Sequence, residues 1–195
     1  HIEELENEVS LQNNHRNFYV EVLDSRSKVL ILSESPHPDI SALQTVLSKD
    51  DNIEIEYKTF KDWNKKVNQV NLLICHNPTE QYNSELFKIF KSNRIPVLYI
   101  LGTKTNKALY TKLGIQFSNG SSSQIDEFQG AINKGFSIFE ADEKLIESLS
   151  YYPPLSGRYG ELSIPTSSSI FMKQRIGPVT KNSPLFFFAS IQDMT

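Results

Sequence analysis

The segment with the clearest chemical potential is Ser35-Pro36-His37-Pro38-Asp39, which closely follows the apolar run at residues 29–32. An imidazole and a carboxylate so close together can act as a general base pair or contribute to a metal site. Two further groups of polar residues follow other apolar runs, one at His76 and one after Gly102. The sequence therefore predicts a binding site, with no catalytic or metal-ligating residue assigned, made by His37, Asp39, His76, Asn77, Thr103 and Thr105.

The strands that must position these residues are predicted from hydrophobic patterning. Continuous apolar runs at residues 29–32, 70–75 and 95–101 are typical of strands buried on both faces of a parallel sheet. Residues 53–57 alternate between apolar and other side chains and predict another strand. A weaker alternation at residues 18–23 predicts a strand before the first buried run.

Helices are predicted between these strands. Apolar residues from Ile40 to Leu47 fall at helical spacing, with Asp39 placed as the N-cap. A short helix is predicted around Trp63 and Val67, and a further helix begins at Thr79. This alternation implies right-handed crossovers and an α/β fold, with a doubly wound, mostly parallel, flavodoxin-like sheet and a β-rich C-terminal extension.

The loops at residues 33–39, 76–80 and 102–106 leave the carboxyl ends of three predicted strands. Ligands of open α/β sheets bind outside these strand ends, so we expect the polar residues of the three loops to converge. In the alternative interpretation, Pro36 and Pro38 only shape a turn, Asp39 and Thr79 cap helices, and the other side chains are solvated.

Residues 1–16 are polar and predict a linker or disordered lead-in, while residues 17–195 predict one domain. Within it, residues 17–118 form the parallel core and residues 119–195 the extension. Short apolar runs broken by Pro and Gly predict strands at 160–164, 169–172, 176–180 and 185–189. These suit antiparallel strands at the sheet edge. The run Phe186-Phe187-Phe188 fits an exposed edge or a buried core strand, and we favour the core strand.

Composition excludes several classes of function. The chain has 195 residues, enough for one sizeable core, and its net charge of −3 with scattered basic residues gives no reason to expect a nucleic-acid partner. Cys75 is the only cysteine, so the chain holds no internal disulfide or cysteine-rich metal site. Cys75 and His76 are adjacent on a strand and point to opposite faces, which predicts a buried apolar thiol rather than a nucleophile.

No apolar run approaches the roughly 18 residues of a membrane span. The chain begins at His1 in a polar segment and ends just after an apolar run, so we interpret it as a piece of a longer protein. A membrane anchor in the parent chain is therefore compatible with this sequence.

The triplet His37-Pro38-Asp39 after a buried strand resembles the opening motif of zinc-dependent N-acetylglucosaminyl deacetylases of the LmbE type. In that family the motif continues with a second Asp, which binds zinc together with the His, and a Glu. Ile40 and Ser41 occupy those two positions here. Because the resemblance covers only a few residues and lacks a ligand, we expect neither this activity nor a metal ion or other cofactor.

The order of elements at residues 29–32, 70–77 and 95–102 resembles the class I glutamine amidotransferase-like superfamily, including its ThuA-like members. Active members carry a nucleophilic cysteine in a Gly-x-Cys-x-Gly-like turn and a later His-x-Glu pair. This chain has Leu101-Gly102-Thr103-Lys104-Thr105 at the turn, and no histidine follows His76. The resemblance therefore implies the fold without the amidotransferase reaction.

The stretch from Phe18 to Ala189 is similar to an amidotransferase-like domain of bacterial envelope proteins, which follows extracellular repeats and precedes a membrane segment. The similarity lies in residues 18–24, 28–39, 77–78 and 153–185. It implies a periplasmic or membrane-associated extracytoplasmic location, with a small molecule or another envelope protein as partner. We therefore expect a non-catalytic binding or scaffolding module; the alternative is a hydrolase of another type that uses His37 and Asp39, with or without a metal ion.

Overall fold

A computed structural model describes residue 19 and residues 26–105, 107–118 and 124–190. The predicted lead-in at 1–16, nearly all of the predicted strand at 18–23 and the glycine- and serine-rich loop at 119–123 lie outside the described residues. The described elements follow the order β1 (Ser27–Ser33), α1 (Pro38–Leu47), β2 (Ile53–Thr59), β3 (Val70–His76), α2 (Glu80–Asn93), β4 (Val97–Ile100), α3 (Lys107–Lys112), β5 (Gln116–Ser118), β6 (Ile125–Ile132), α4 (Glu143–Ser148), β7 (Leu155–Arg158), β8 (Glu161–Ser163), β9 (Ser169–Ile176) and β10 (Val179–Phe188).

The first four strands form a parallel sheet in the order β2-β1-β3-β4. The chain passes from β1 through α1 to β2 on one side, then crosses to the other side of β1 to form β3 and β4. The direction of winding therefore reverses between β1 and β3, which makes this pair of strands the topological switch point of the sheet. The predicted α/β fold with a parallel core is confirmed at this level.

Helices cover both faces of the parallel sheet, as the continuous apolar runs of its central strands require. On one face, Leu32 and Leu73 pack with Leu86 and Phe90 of α2. On the other face, residues of β1 and β3 pack against α1 residues, and this cluster contains Val29, Ile31, Ile74, Ile40 and Leu43. In the parallel register Leu32 pairs with Cys75 and Ser33 with His76, so the carboxyl ends of β1 and β3 are aligned.

The start of α1 differs from the prediction. Asp39 was expected to be the N-cap, but the N-cap is His37, Pro38 is the first helical residue, and Asp39 lies in the first turn. Proline favours this first position because its fixed φ suits a helix and the helix loses no internal hydrogen bond there. Because of this proline, the N-cap of α1 lies two residues before the predicted position, and the capping residue is a histidine.

The short helix predicted around Trp63 and Val67 is wrong, because residues 60–69 form two turns joined by irregular backbone. The Thr59 hydroxyl donates to the Asp62 carboxylate, and Lys65 and Gln69 have positive φ angles of 63° and 64°, which a right-handed helix does not allow. Trp63 still packs in the core next to Phe90. The spacing of Trp63 and Val67 therefore reflects the burial of their side chains and not a helical backbone.

The second half forms an antiparallel sheet, β10-β9-β6-β7, and the two-stranded pair β5-β8, which confirms the predicted antiparallel extension. The predicted strand at 176–180 is wrong, because Gly177 and Pro178 form the turn between β9 and β10. Strand β6 was not predicted. A buried cluster on α3 joins the extension to the parallel sheet, since Leu109 and Tyr110 share contacts with β4 and with the extension.

The interpretation of Phe186–Phe188 as a buried core strand is also wrong. These residues end β10, an edge strand of the antiparallel sheet. Phe186 and Phe187 are half-buried, and Phe188 is 38% exposed. Phe186 and Phe188 pack instead with other phenylalanines of the extension, including Phe136 and Phe171.

Among the described residues, none of the helices has the length and apolar character that a transmembrane segment needs.

Candidate functional site

The loop after β1 is held back against the end of the sheet by Ser33 and Tyr57. The Ser33 side chain is fully buried, and its hydroxyl donates to the carbonyl of Ser35 at 2.8 Å. Because the Ser33 proton is used in this bond, the Tyr57 hydroxyl 3.0 Å away donates to Ser33 Oγ. These two bonds fix the first turn of the loop that leads to His37.

His37 and Asp39 are positioned by the start of α1. His37 Nδ1 accepts a hydrogen bond from the backbone N–H of Asp39 at 3.2 Å, and Pro38 fixes the backbone between them. The same nitrogen lies 3.3 Å from Asp39 Oδ2. Both side chains face solvent, His37 at 45% and Asp39 at 55% exposure.

His76 completes this group from the neighbouring strand. It is the last residue of β3 and lies beside Ser33 of β1 in the parallel register. Its side chain is only 3% exposed, and its Nε2 lies 3.0 Å from Asp39 Oδ2. The two imidazole rings are 4.7 Å apart between centroids.

Each of the three residues presents one potential ligand atom, and these atoms all lie within 4.8 Å of one another. We call His37, Asp39 and His76 the His–Asp–His cluster. It lies at the carboxyl ends of β1 and β3, which is the switch point of the parallel sheet. The structure thus brings together three of the six residues predicted to form a binding site.

From the sequence, no metal ion is expected, because the deacetylase-like motif lacks its second Asp and no closely spaced pair of histidines follows it. Ile40 and Ser41 replace the next polar residues there, and Ile40 is buried in the core under α1. The structure supplies a third donor, His76, from the adjacent strand. The sequence did indicate that His76 would lie near the loop after β1. His76 follows the predicted buried strand at residues 70–75, and neighbouring parallel strands end at the same edge of the sheet.

Asn77, Gly102 and Thr105 form a separate hydrogen-bonded group at the ends of β3 and β4. The backbone N–H of Gly102 is within hydrogen-bonding distance of two acceptors, Asn77 Oδ1 at 2.8 Å and Thr105 Oγ1 at 3.0 Å. Asn77 has a positive φ of 47°, which asparagine tolerates better than most residues. The side chains of Asn77 and Thr105 therefore stabilise the loop after β4. Their contact with a ligand remains a prediction.

The remaining predicted residue, Thr103, is half-buried between Gly102 and Lys104. From the extension, Arg158 of β7 donates to the carbonyl of Thr105 at 2.6 Å. The loop after β4 is therefore braced from the side of the antiparallel sheet, a contact that the sequence did not predict.

Cys75 is separated from the cluster by the sheet itself. Its side chain is fully buried in the core on the α2 face, while His76 contacts Asp39 at the strand end. Burial raises the pKa of the Cys75 thiol far above its ordinary value, so the thiolate needed for nucleophilic attack does not form at neutral pH.

A surface groove of about 510 Å³ adjoins His37. It is lined on one side by the loop after β1 and on the other by α1 and β2, with the residues Pro36, His37, Pro38, Ile40, Ser41, Gln44 and Tyr57. Most of this lining is apolar, and His37 belongs both to the lining and to the His–Asp–His cluster. Such a combination suits a small organic ligand with one polar group.

Comparison of the sequence with protein-family models and with curated proteins found no match. The geometry of the cluster and the groove therefore carries the functional argument.

Proposed function

We propose that this chain is a non-catalytic binding module, of flavodoxin-like and amidotransferase-like architecture, from a bacterial cell-envelope protein. Its ligand site lies at the switch point between β1 and β3, where the His–Asp–His cluster meets the groove beside α1. The observation that carries this proposal is the convergence of His37, Asp39 and His76 from two strand ends. The extracytoplasmic location rests on the resemblance of residues 18–189 to envelope domains.

The surroundings of the cluster favour binding over covalent catalysis. Cys75 is buried on the other side of the sheet, and its raised thiol pKa keeps it protonated. The turn after β4, where amidotransferases hold their nucleophile, has Thr103 in its place. A polar cluster with two solvent-exposed members next to a mostly apolar groove has the chemistry of a recognition site.

The proposal is tested by mapping amide chemical shifts of the ¹⁵N-labelled chain in EDTA, with acetate, succinate, inorganic phosphate and glucose added one at a time. We expect at least one probe to shift residues that line the groove. The variant Ser41→Trp fills the groove from α1 and should abolish these shifts. Ala42→Trp, at an exposed position of the same helix outside the groove, is the matched control. Shifts confined to another surface would contradict the proposal.

A hydrolase is the second candidate, and the 3.0 Å contact between His76 and Asp39 favours it. A histidine oriented by a carboxylate can act as a general base, typically worth about 10²–10⁴ in rate. Hydrolysis of 4-nitrophenyl acetate by the chain and by Asp39→Asn distinguishes the candidates. Equal rates support the binding module, whereas a loss of about 100-fold in the variant would support the hydrolase.

A further inference from the structure

We propose that the His–Asp–His cluster binds one divalent transition-metal ion, with zinc as the favoured ion. The inference rests on the proposed function, because the ion would occupy the same ligand site and define its chemistry. His37 Nδ1, Asp39 Oδ2 and His76 Nε2 are the three ligand atoms.

The spacing of these atoms fits tetrahedral zinc. Zinc bonds of 2.0–2.2 Å to nitrogen and oxygen place neighbouring ligands about 3.3 Å apart. Asp39 Oδ2 lies 3.3 Å from His37 Nδ1 and 3.0 Å from His76 Nε2, so two of the three separations already have this length. The ligand atoms of the two histidines lie within 4.8 Å of each other, and the half-exposed His37 ring must rotate to bring them closer. His37 Nδ1 has one lone pair, which accepts the Asp39 N–H in this structure, so zinc binding would replace that capping bond with a bond to the metal.

The donor types select the class of metal. Two imidazoles and one carboxylate suit zinc, cobalt, nickel or ferrous iron, whereas magnesium and calcium require mainly oxygen ligands. A single carboxylate also gives a hard cation little negative charge and few oxygen ligands to hold it. Imidazole nitrogens supply the additional bonds that a transition metal needs.

The contact of His76 with Asp39 is independent of the α1 cap. His37 lies beside the Asp39 carboxylate because it caps the helix, whereas a second ring approaches the same carboxylate oxygen from another strand. This second ring, of His76, is nearly completely buried and reaches the oxygen from β3. Three protein ligands leave a coordination position for a water molecule or a bound ligand, which is the pattern of open zinc sites. His37 also borders the groove, so the metal site and the groove share one residue.

The test is titration of the full 195-residue chain, freed of metal with EDTA and dialysed, with zinc chloride in a calorimeter. We expect one equivalent of zinc to bind. Replacing a residue that only hydrogen-bonds to a metal ligand typically weakens metal affinity by about 10- to 100-fold. Loss of a direct ligand should cost more, so we expect the zinc affinity to fall by at least about 100-fold in His37→Ser and in Asp39→Asn. His37→Ser keeps a residue able to cap α1, which preserves the fold.

The matched control is the double variant His1→Ala, His15→Ala, which removes the two histidines outside the cluster and should bind zinc unchanged. Cobalt provides a second measurement, since its visible spectrum should show nitrogen and oxygen ligands without a thiolate charge-transfer band. That result is expected because Cys75 lies in the core on the α2 face.

Absence of zinc binding would overturn the metal site. So would unchanged binding in both His37→Ser and Asp39→Asn, or loss of binding in the His1 and His15 control. The groove is tested separately, because the organic probes are measured in EDTA. Probe shifts without zinc binding would reject the metal alone, whereas zinc binding without probe shifts in EDTA would support the metal site and reject ligand binding by the metal-free groove.

Discussion

At the scale of single residues, the Asn77 side chain packs closely against Gly102 at the ends of β3 and β4. A Cβ atom on Gly102 would lie 2.4 Å from Asn77 Oδ1, which is far too close for any contact. Gly102→Ala must therefore displace the Asn77 side chain and break its bond with the Gly102 N–H. We expect a loss of about 1–3 kcal/mol in the free energy of unfolding, measured by urea denaturation.

The control for this variant is Gly135→Ala, at an exposed glycine whose added Cβ would meet only the Asn133 side chain, at 3.8 Å or more. Its effect should stay within about 0.5 kcal/mol. If Gly102→Ala were equally mild, the hydrogen-bonded group of Asn77, Gly102 and Thr105 would not contribute to stability.

The sequence indicated which side chains meet at the strand ends better than it indicated their local contacts. His37, Asp39 and His76 were recognisable because each follows or ends a buried apolar run. The structural role of Asn77 depends on a positive φ and on a partner 25 residues away. Neither property can be inferred from the residue types next to Asn77. Asn77 and Thr105 could therefore be predicted only as candidates for ligand binding.

At the scale of elements, α1 depends on an unusual N-cap, because His37 Nδ1 accepts the backbone N–H of Asp39. Removing the side chain in His37→Ala leaves that N–H without its capping acceptor and should cost about 0.5–2 kcal/mol in the free energy of unfolding. His37→Ser restores a hydroxyl acceptor and should recover most of this loss. Thermal or urea unfolding of the two variants checks the prediction, and equal stability of both would contradict the capping role.

Burial explains which elements could be predicted. Strands β1 and β3 are buried on both faces, so their apolar runs are continuous and unmistakable. Strand β6 carries Asp126, Glu127 and Gly130, and most of its side chains are only half-buried. It is a strand because β7 and β9 pair with it, and such tertiary pairing leaves no clear local pattern.

At the scale of the whole molecule, the parallel sheet and the antiparallel extension are joined through the cluster on α3. Tyr99 of β4 and Tyr110 of α3 both belong to this cluster, and Tyr99 also packs on the core that contains Cys75. Burial raises the pKa of all three residues above their ordinary values. Ionisation of these groups is therefore coupled to opening of the shared core.

This coupling predicts loss of stability at alkaline pH. The unfolded chain releases these protons at about pH 8.5 for cysteine and about pH 10 for tyrosine, whereas the folded chain retains them to higher pH. Their stabilising effect is complete below pH 8.5, and the free energy of unfolding should fall as the pH rises from there. Urea denaturation between pH 7 and 11 measures the slope. In Cys75→Ala the fall should begin only near pH 10, and an onset unchanged by this substitution would show that the buried thiol does not contribute.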